Sequence, residues 1–299
     1  QNTIQNLLTG LQEVCEGTYI TQVTYKSPPF VDPVTNLDEA VHRFLVNFCQ
    51  KQDWLLISEE EKTSMTWPQV LRESMSRVIL IADPIDGTKA CESLLPEGPA
   101  VGFLYGSQMT ALYNGQIVFT IIYLPQEDFS LVLTEDGITY SQHSMGTRDC
   151  ARETREFYSQ TLEHSAACFN PKYLDDYLSL APLKQFISAH FNLPSIAVTC
   201  FFLYNQKNWN IVVQKGCVWD LLPLLHVGWA LGYVSFRLDN FAPFTLNSFS
   251  YEVPGVNPGL VLLRGSEEEV RQLLERMKSQ KKFEKQFGSR ALKLFQLFS

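Results

Sequence analysis

Asp83 and Asp86 lie three residues apart in the stretch Ile79-Leu80-Ile81-Ala82-Asp83-Pro84-Ile85-Asp86-Gly87-Thr88-Lys89. Apolar residues run up to Ala82, as in a strand buried on both faces. Two carboxylates, a proline, a glycine and a threonine follow within a few residues. Pro84 fixes its own φ and biases Asp83 towards an extended backbone. Gly87 permits a positive φ or a close approach of backbone to a ligand. A strand ending in Asp-x-x-Asp projects hard oxygen ligands from a rigid support, and such oxygens suit Mg²⁺ or Ca²⁺. Asp, Pro and Gly are also ordinary turn formers, so on these residues alone a plain strand-to-turn junction is an equal reading.

Three further pieces move that balance: Val34-Thr35-Asn36-Leu37-Asp38, Ile57-Ser58-Glu59-Glu60 and Trp219-Asp220. Taken singly, each has a structural explanation. Asp38 and Asp220 read as helix caps, Glu59 to Glu61 as a solvated acidic run, and Trp219 as core. In this order, with Asp-Pro-Ile-Asp-Gly-Thr between them, they resemble the inositol monophosphatase superfamily of metal-dependent phosphomonoesterases. The matching pieces there are a Thr-x-x-Asp at a helix start, a Glu-Glu after a strand, and a Trp-Asp opening a late helix. The resemblance spans residues 34 to 220.

That resemblance implies a five-layer αβαβα sandwich, with α+β and α/β halves. Residues 1–150 would form the metal-binding half. Residues 151–299 would form a smaller half contributing Asp220 and a C-terminal helical extension, with the seam near 140–165. It also implies two or three Mg²⁺ ions. Glu59, Asp83 and the Ile85 carbonyl would hold one, and Asp83, Asp86 and Asp220 a second. Asp38 and Thr88 would orient and deprotonate the attacking water, with Glu59 counted beside them as catalytic. The amides of Gly87 and Thr88 would contact the phosphate, and Lys89 would reach the substrate pocket.

Within the superfamily, Ser58-Glu59-Glu60 and the Lys89 after Gly-Thr resemble the 3′(2′),5′-bisphosphate nucleotidases. Histidinol phosphatases share that lysine, and inositol-1-monophosphatases are the further alternative. The segment Ser195 to Cys200 lacks the nucleotidases' lysine and has Val198. Val213 replaces the acidic residue frequent in inositol phosphatases, and Tyr233 interrupts the usual Ala-Gly-Gly. The expected activity is hydrolysis of a small phosphorylated metabolite by metal-activated water. A metal-binding regulatory homologue that lost its substrate is the alternative from another class.

Composition is that of a globular chain: 299 residues, 45% hydrophobic, 19% charged, formal net charge −8. An acidic balance argues against a nucleic-acid polymer as partner and leaves room for an anionic small substrate held through cations. No apolar run reaches the roughly 18 residues of a membrane span; Val218 to Phe236 is interrupted by Asp220, Pro223 and His226. The N-terminus shows no signal-peptide pattern. Seven scattered cysteines without Cys-x-x-Cys read as reduced, buried thiols of a cytoplasmic protein. The five histidines show no metal-ligand spacing.

Periodicity predicts helices over 4–20, 38–50, a short one at 68–74, 171–191, 220–231, and one opening at Ser266. It predicts strands at 54–57, 100–105, 109–113, 116–123, 129–133, 196–203, 210–213 and 261–263, with Asn114-Gly115 as a hairpin turn. Residues 24–36 read as a loop, 62–77 as a polar stretch, and 134–165 carry no assignment. In 280–299, basic residues interleave with Phe and Leu. That pattern fits a terminal helix docked on the protein's own body or across a homodimer better than a membrane-surface segment.

Overall fold

The structure is a computed structural model that describes residues 2–25, 33–61, 63–88, 105–142, 166–169, 189–192, 195–205, 209–253, 255, 257–275 and 278–279. Lys89, the segments 100–104 and 171–188, residues 143–165 of the proposed seam and residues 280–299 lie outside them.

The layers follow from which face each strand residue shows. A six-stranded sheet runs in the order β3 (Leu55–Ser58), β4 (Ile79–Asp86), β5 (Gly106–Tyr113), β6 (Gln116–Leu124), β7 (Phe129–Thr134), β8 (Gly137–Gln142). Only the β3–β4 pair is parallel. Leu80, Ala82, Met109, Ala111, Phe119 and Ile121 form its outer face, against α1 (Asn2–Gly17) and α2 (Asn36–Gln52). Ile79, Ile81, Leu112 and Ile122 alternate to the inner face. There they meet α4 (Ile196–Asn205) and α5 (Val218–Ala230).

A five-stranded sheet lies beyond those two helices. Its order is β10 (Ala189–Asn192), β9 (Ala166–Phe169), β11 (Trp209–Gln214), β13 (Leu260–Leu263), β12 (Val234–Arg237). Leu260 and Leu262 pack inwards on α4 and α5, while Val261 and Leu263 pack outwards with Val270. Val270 lies in helix α6, over 267–275. The order helix, sheet, helix, sheet, helix is the five-layer sandwich that the sequence leads one to expect. Short elements complete it: α3 (Trp67–Glu73), and a two-stranded ribbon of β1 (Val23–Tyr25) and β2 (Pro33–Thr35).

Four sequence assignments are corrected. Residues 196–203, expected as a strand, are helix α4; the run is apolar on every side because it is buried on every side, which erases the period that separates helix from strand. The helix is set by its start, where Ser195 Oγ accepts the Val198 N–H at 3.1 Å. Residues 189–192, the end of an expected helix, are a strand paired with β9. The expected loop over 24–36 contains the ribbon of β1 and β2. Residues 137–142, left unassigned, form β8, entered by a turn with Gly137 at φ 113°. The Asn114-Gly115 turn has both residues at positive φ, as a two-residue hairpin requires.

Candidate active site

The acidic residues meet because of an irregularity in β4. On a regular strand, residues three apart point to opposite faces. Strand β4 continues past Ala82 to Asp86, and its register against β5 shifts between Asp83 (opposite Gln108) and Asp86 (opposite Gly106). Three steps on β4 thus span two on β5, a bulge that turns Asp86 to the same inner face as Asp83. Pro84 sits in the bulge, where its missing N–H breaks no ladder bond. The Pro84 carbonyl accepts the Ser107 hydroxyl instead. Gly87 follows at φ 88°, a conformation costly for a side-chain-bearing residue, and at residue 88 the backbone turns helical.

Asp220 arrives from the second sheet's side, in the first turn of α5. Its carboxylate and those of Asp83 and Asp86 offer ligand oxygens all within 4.8 Å of one another. Glu59 follows β3, where its N–H donates to the Ala82 carbonyl at 3.1 Å. That places it one step beyond the Ser58–Ala82 pair, beside Asp83. Gly216 packs so closely on the Asp220 carboxylate that no Cβ would fit.

Three of the carboxylates, Asp38, Asp86 and Asp220, are each held through one oxygen by the start of a helix. Asp38 Oδ2 accepts the Thr35 N–H at 2.7 Å and the Thr35 hydroxyl, in a capping box that opens α2. Asp86 Oδ2 accepts the Ala197 N–H at 2.7 Å and the Ser195 hydroxyl at 2.9 Å, at the start of α4. Asp220 Oδ2 accepts the Cys217 N–H at 2.6 Å at the start of α5. Three helix N-termini therefore converge on the acids, and their partial positive charge offsets part of the mutual repulsion.

The repulsion is large nonetheless. Burial, then Glu59, Asp86, Asp220 and Asp38, push the Asp83 carboxyl well above the usual carboxylate range. Burial also raises Asp86 to about 7, against the lowering effect of its bonds to Ala197 and Ser195. Asp38 is raised to about 6, mainly by burial. Buried acids this close are poorly matched to one another and well matched to a hard divalent cation, so the donor set fits Mg²⁺ or Ca²⁺.

Thr88 links the two parts of the site. Its hydroxyl lies 3.3 Å from Asp38 Oδ1 and 2.8 Å from the Ile85 carbonyl oxygen, and its single proton can serve one of them at a time. The structure thus brings Asp83, Asp86 and Asp220 together, sets Glu59 one step beyond the Ser58–Ala82 pair, and joins Thr88 to Asp38 and to the Ile85 carbonyl.

Two residues that sequence reading weighed lie elsewhere. Val213 faces the outer core with Val261, so its apolar character belongs to packing on α6; Gln214 takes the inner face opposite Leu260. Val198 is packed in the inner core of α4. Sequence reading missed Ser195, the donor to Asp86, and a Ser four residues before Thr199 in an expected strand gave no signal for it.

A cleft of about 610 Å³ lies at the opposite, hairpin end of the sheet, lined by Leu71, Met75, Ile117, His226, Trp229 and Leu246 among others. His226 Nδ1 pairs with the Thr120 hydroxyl at 2.8 Å, and burial lowers its pKa to about 4. No helix among the described residues is long and apolar enough to cross a membrane.

No family sequence model matches the chain, and no curated protein matches it by sequence. Solved structures do. An inositol monophosphatase/NADP phosphatase complexed with Mg²⁺ and phosphate matches with a TM-score of 0.63 at 15% identity, covering 91% of this chain and 92% of that one. The extragenic suppressor protein suhB of Bartonella henselae matches at 0.63 and 15%, covering 93% and 99%. An inositol monophosphatase of Thermotoga maritima matches at 0.62 and 16%, covering 93% and 98%. Neighbours of this kind were crystallised with Mg²⁺ or Ca²⁺. Over nine-tenths of its length, this chain has the inositol monophosphatase fold.

Proposed function

We propose that the protein is a divalent-metal-dependent phosphomonoesterase acting on a small phosphorylated metabolite. The observation that carries this is the meeting of Asp83, Asp86 and Asp220 within 4.8 Å, from segments far apart in the chain. In this reading Glu59, Asp83, the Ile85 carbonyl, Asp86 and Asp220 hold two Mg²⁺ ions. When bound, the ions would lower the pKa of a water and neutralise the phosphate and the leaving oxygen.

The chain's own groups supply the rest. Asp38 has one oxygen fixed by Thr35, which leaves Oδ1 as the proton acceptor. Its pKa of about 6 keeps it ionised yet basic near neutral pH, as a general base should be. Thr88 sits between Oδ1 and the site and passes the proton of the attacking water to Asp38. The amides at Gly87 and Thr88, at a helix start, receive the phosphate oxygens.

The finer reading is a phosphorylated nucleotide as substrate, in the manner of the 3′(2′),5′-bisphosphate nucleotidases. Ser58-Glu59-Glu60 supports it, and so does a structural neighbour described as an inositol monophosphatase/NADP phosphatase complexed with NADP. The buried free thiols Cys15 and Cys49 support a reducing, cytoplasmic setting.

The test is phosphate release from adenosine 3′,5′-bisphosphate, NADP, inositol 1-phosphate and histidinol phosphate, with and without Mg²⁺. Asp83→Asn is the control. Mg²⁺-dependent release that D83N abolishes supports the reading. No release from any of the four, or wild-type release by D83N, refutes it.

A further inference from the structure

The residue directly opposite Asp83 on β5 is Gln108. Cross-strand partners project to the same face of a sheet. Gln108 also pairs with Ile122, an inner-face residue. Its side chain therefore lies with Asp83 in the layer between the two sheets, where α5 carries Asp220. Gln108 is 0% exposed, and among the described residues neither its Oε1 nor its Nε2 has a hydrogen-bond partner.

This is costly. A primary amide offers two donors and two acceptor positions, and burying it unpaired forfeits its bonds to water. A buried polar group left without its partner bears its full desolvation cost. An apolar residue of the same size would pack on Ile122 without that loss. The neighbouring polar residues of the same face are paired: Thr110 and Thr120 hydroxyls lie 2.9 Å apart, and Thr120 continues to His226. The orphaned amide is the one that adjoins the acidic cluster.

We propose that Gln108 is a positioning residue of the metal site, its amide reserved for the arrangement that Asp83 adopts when a divalent cation is bound. The inference rests on the metal-dependent reading above. An amide suits this place better than a charged group would. It can donate to a carboxylate without adding a positive charge that would compete with the cation. It can also accept without adding a further negative charge to a cluster already strained by repulsion.

The experiment measures Mg²⁺ affinity by calorimetry and melting temperature with and without Mg²⁺, for wild type, Gln108→Met and Gln108→Leu. Both variants remove the amide and differ in shape. The expected result is an unchanged or raised melting temperature without metal, together with a Mg²⁺ affinity lowered about 10- to 100-fold, the usual effect of losing a partner behind a ligand. Wild-type Mg²⁺ affinity in either folded variant overturns the proposal. An equal fall in melting temperature with and without Mg²⁺, or loss of the fold in both variants, also overturns it, since either shows an amide that serves the metal-free structure. Absence of Mg²⁺ binding by the wild type removes the metal-dependent reading itself, and this proposal with it. Binding that ignores Gln108 removes this proposal alone.

Discussion

Replacing Asp86 by Asn removes a charge and keeps the shape. The Asn carbonyl oxygen can still accept from Ser195 and Ala197, as Asp86 Oδ2 does. In the metal-free protein, burial holds the Asp86 carboxyl at about 7 against an ordinary 3.8. Each tenfold change in proton affinity is worth about 1.4 kcal/mol. An ionised Asp86 therefore costs the metal-free fold about 4 kcal/mol. The unfolded chain releases this proton near pH 4 and the folded chain near pH 7. The cost is absent below the first value, grows between them, and is complete above the second. Without metal, D86N should match the wild type at pH 4 and exceed its stability by about 4 kcal/mol at pH 8. For a chain of this length, at an unfolding entropy of about 2.1 cal/mol/K per residue, that is a shift in melting temperature of about 6 °C. Asp38 and Asp83 are displaced in the same direction and remain in both proteins, so both curves fall with pH; losing the Asp86 charge also relieves Asp83, which widens the gap in the same direction. Thermal unfolding in a chelator from pH 4 to pH 8 measures the difference. Saturating Mg²⁺ should reverse the order at pH 8, because only the wild type keeps the ligand. Parallel curves for the two proteins without metal, or a less stable D86N at pH 8, would refute the argument.

Other outcomes follow from the same geometry. Thr88→Ala should lower the maximal rate by about 10²- to 10⁴-fold while leaving Mg²⁺ affinity near wild type, because its hydroxyl serves Asp38; steady-state kinetics beside calorimetry separates the two. Gly106→Ala should destabilise by about 1–3 kcal/mol. Its Cβ would meet the Tyr123 carbonyl oxygen at 2.6 Å and the Ala197 Cβ at 3.0 Å, and pressing on Ala197 disturbs the bond to Asp86. Chemical denaturation and Mg²⁺ titration should therefore both register it. Thr35→Val should slow turnover and cost about 1 kcal/mol, since it removes the α2 cap and loosens Asp38 together; a rate unchanged from wild type would show that Asp38 needs no such anchor.

The acids themselves were legible as residues, because their types and order carry a pattern that survives without context. Their arrangement was not. Asp83 and Asp86 share a face only through the bulge at Pro84, and a bulge is a relation between two strands that neither strand's sequence spells out. The first sheet was legible in its hairpins, where Asn114-Gly115 fixes the turn. The second was less so. Strand β9 is four residues long, and α4 is buried all round, so neither displays a period. Gln108 was invisible for a related reason: an amide in an apolar strand becomes informative only when its partner across the sheet is known.

The bond between Asp86 and the start of α4 joins residues 111 apart in sequence. Contacts of such long range close late, because loop entropy must be overcome before they return anything. The metal site therefore cannot exist in a half-formed chain. A cation has no finished cradle to nucleate and can only hold the completed fold, by mass action on the native state. Appearance of tight Mg²⁺ binding during refolding would thus mark the docking of α4 and α5 onto the first sheet, and would serve as a clock for the final step of assembly.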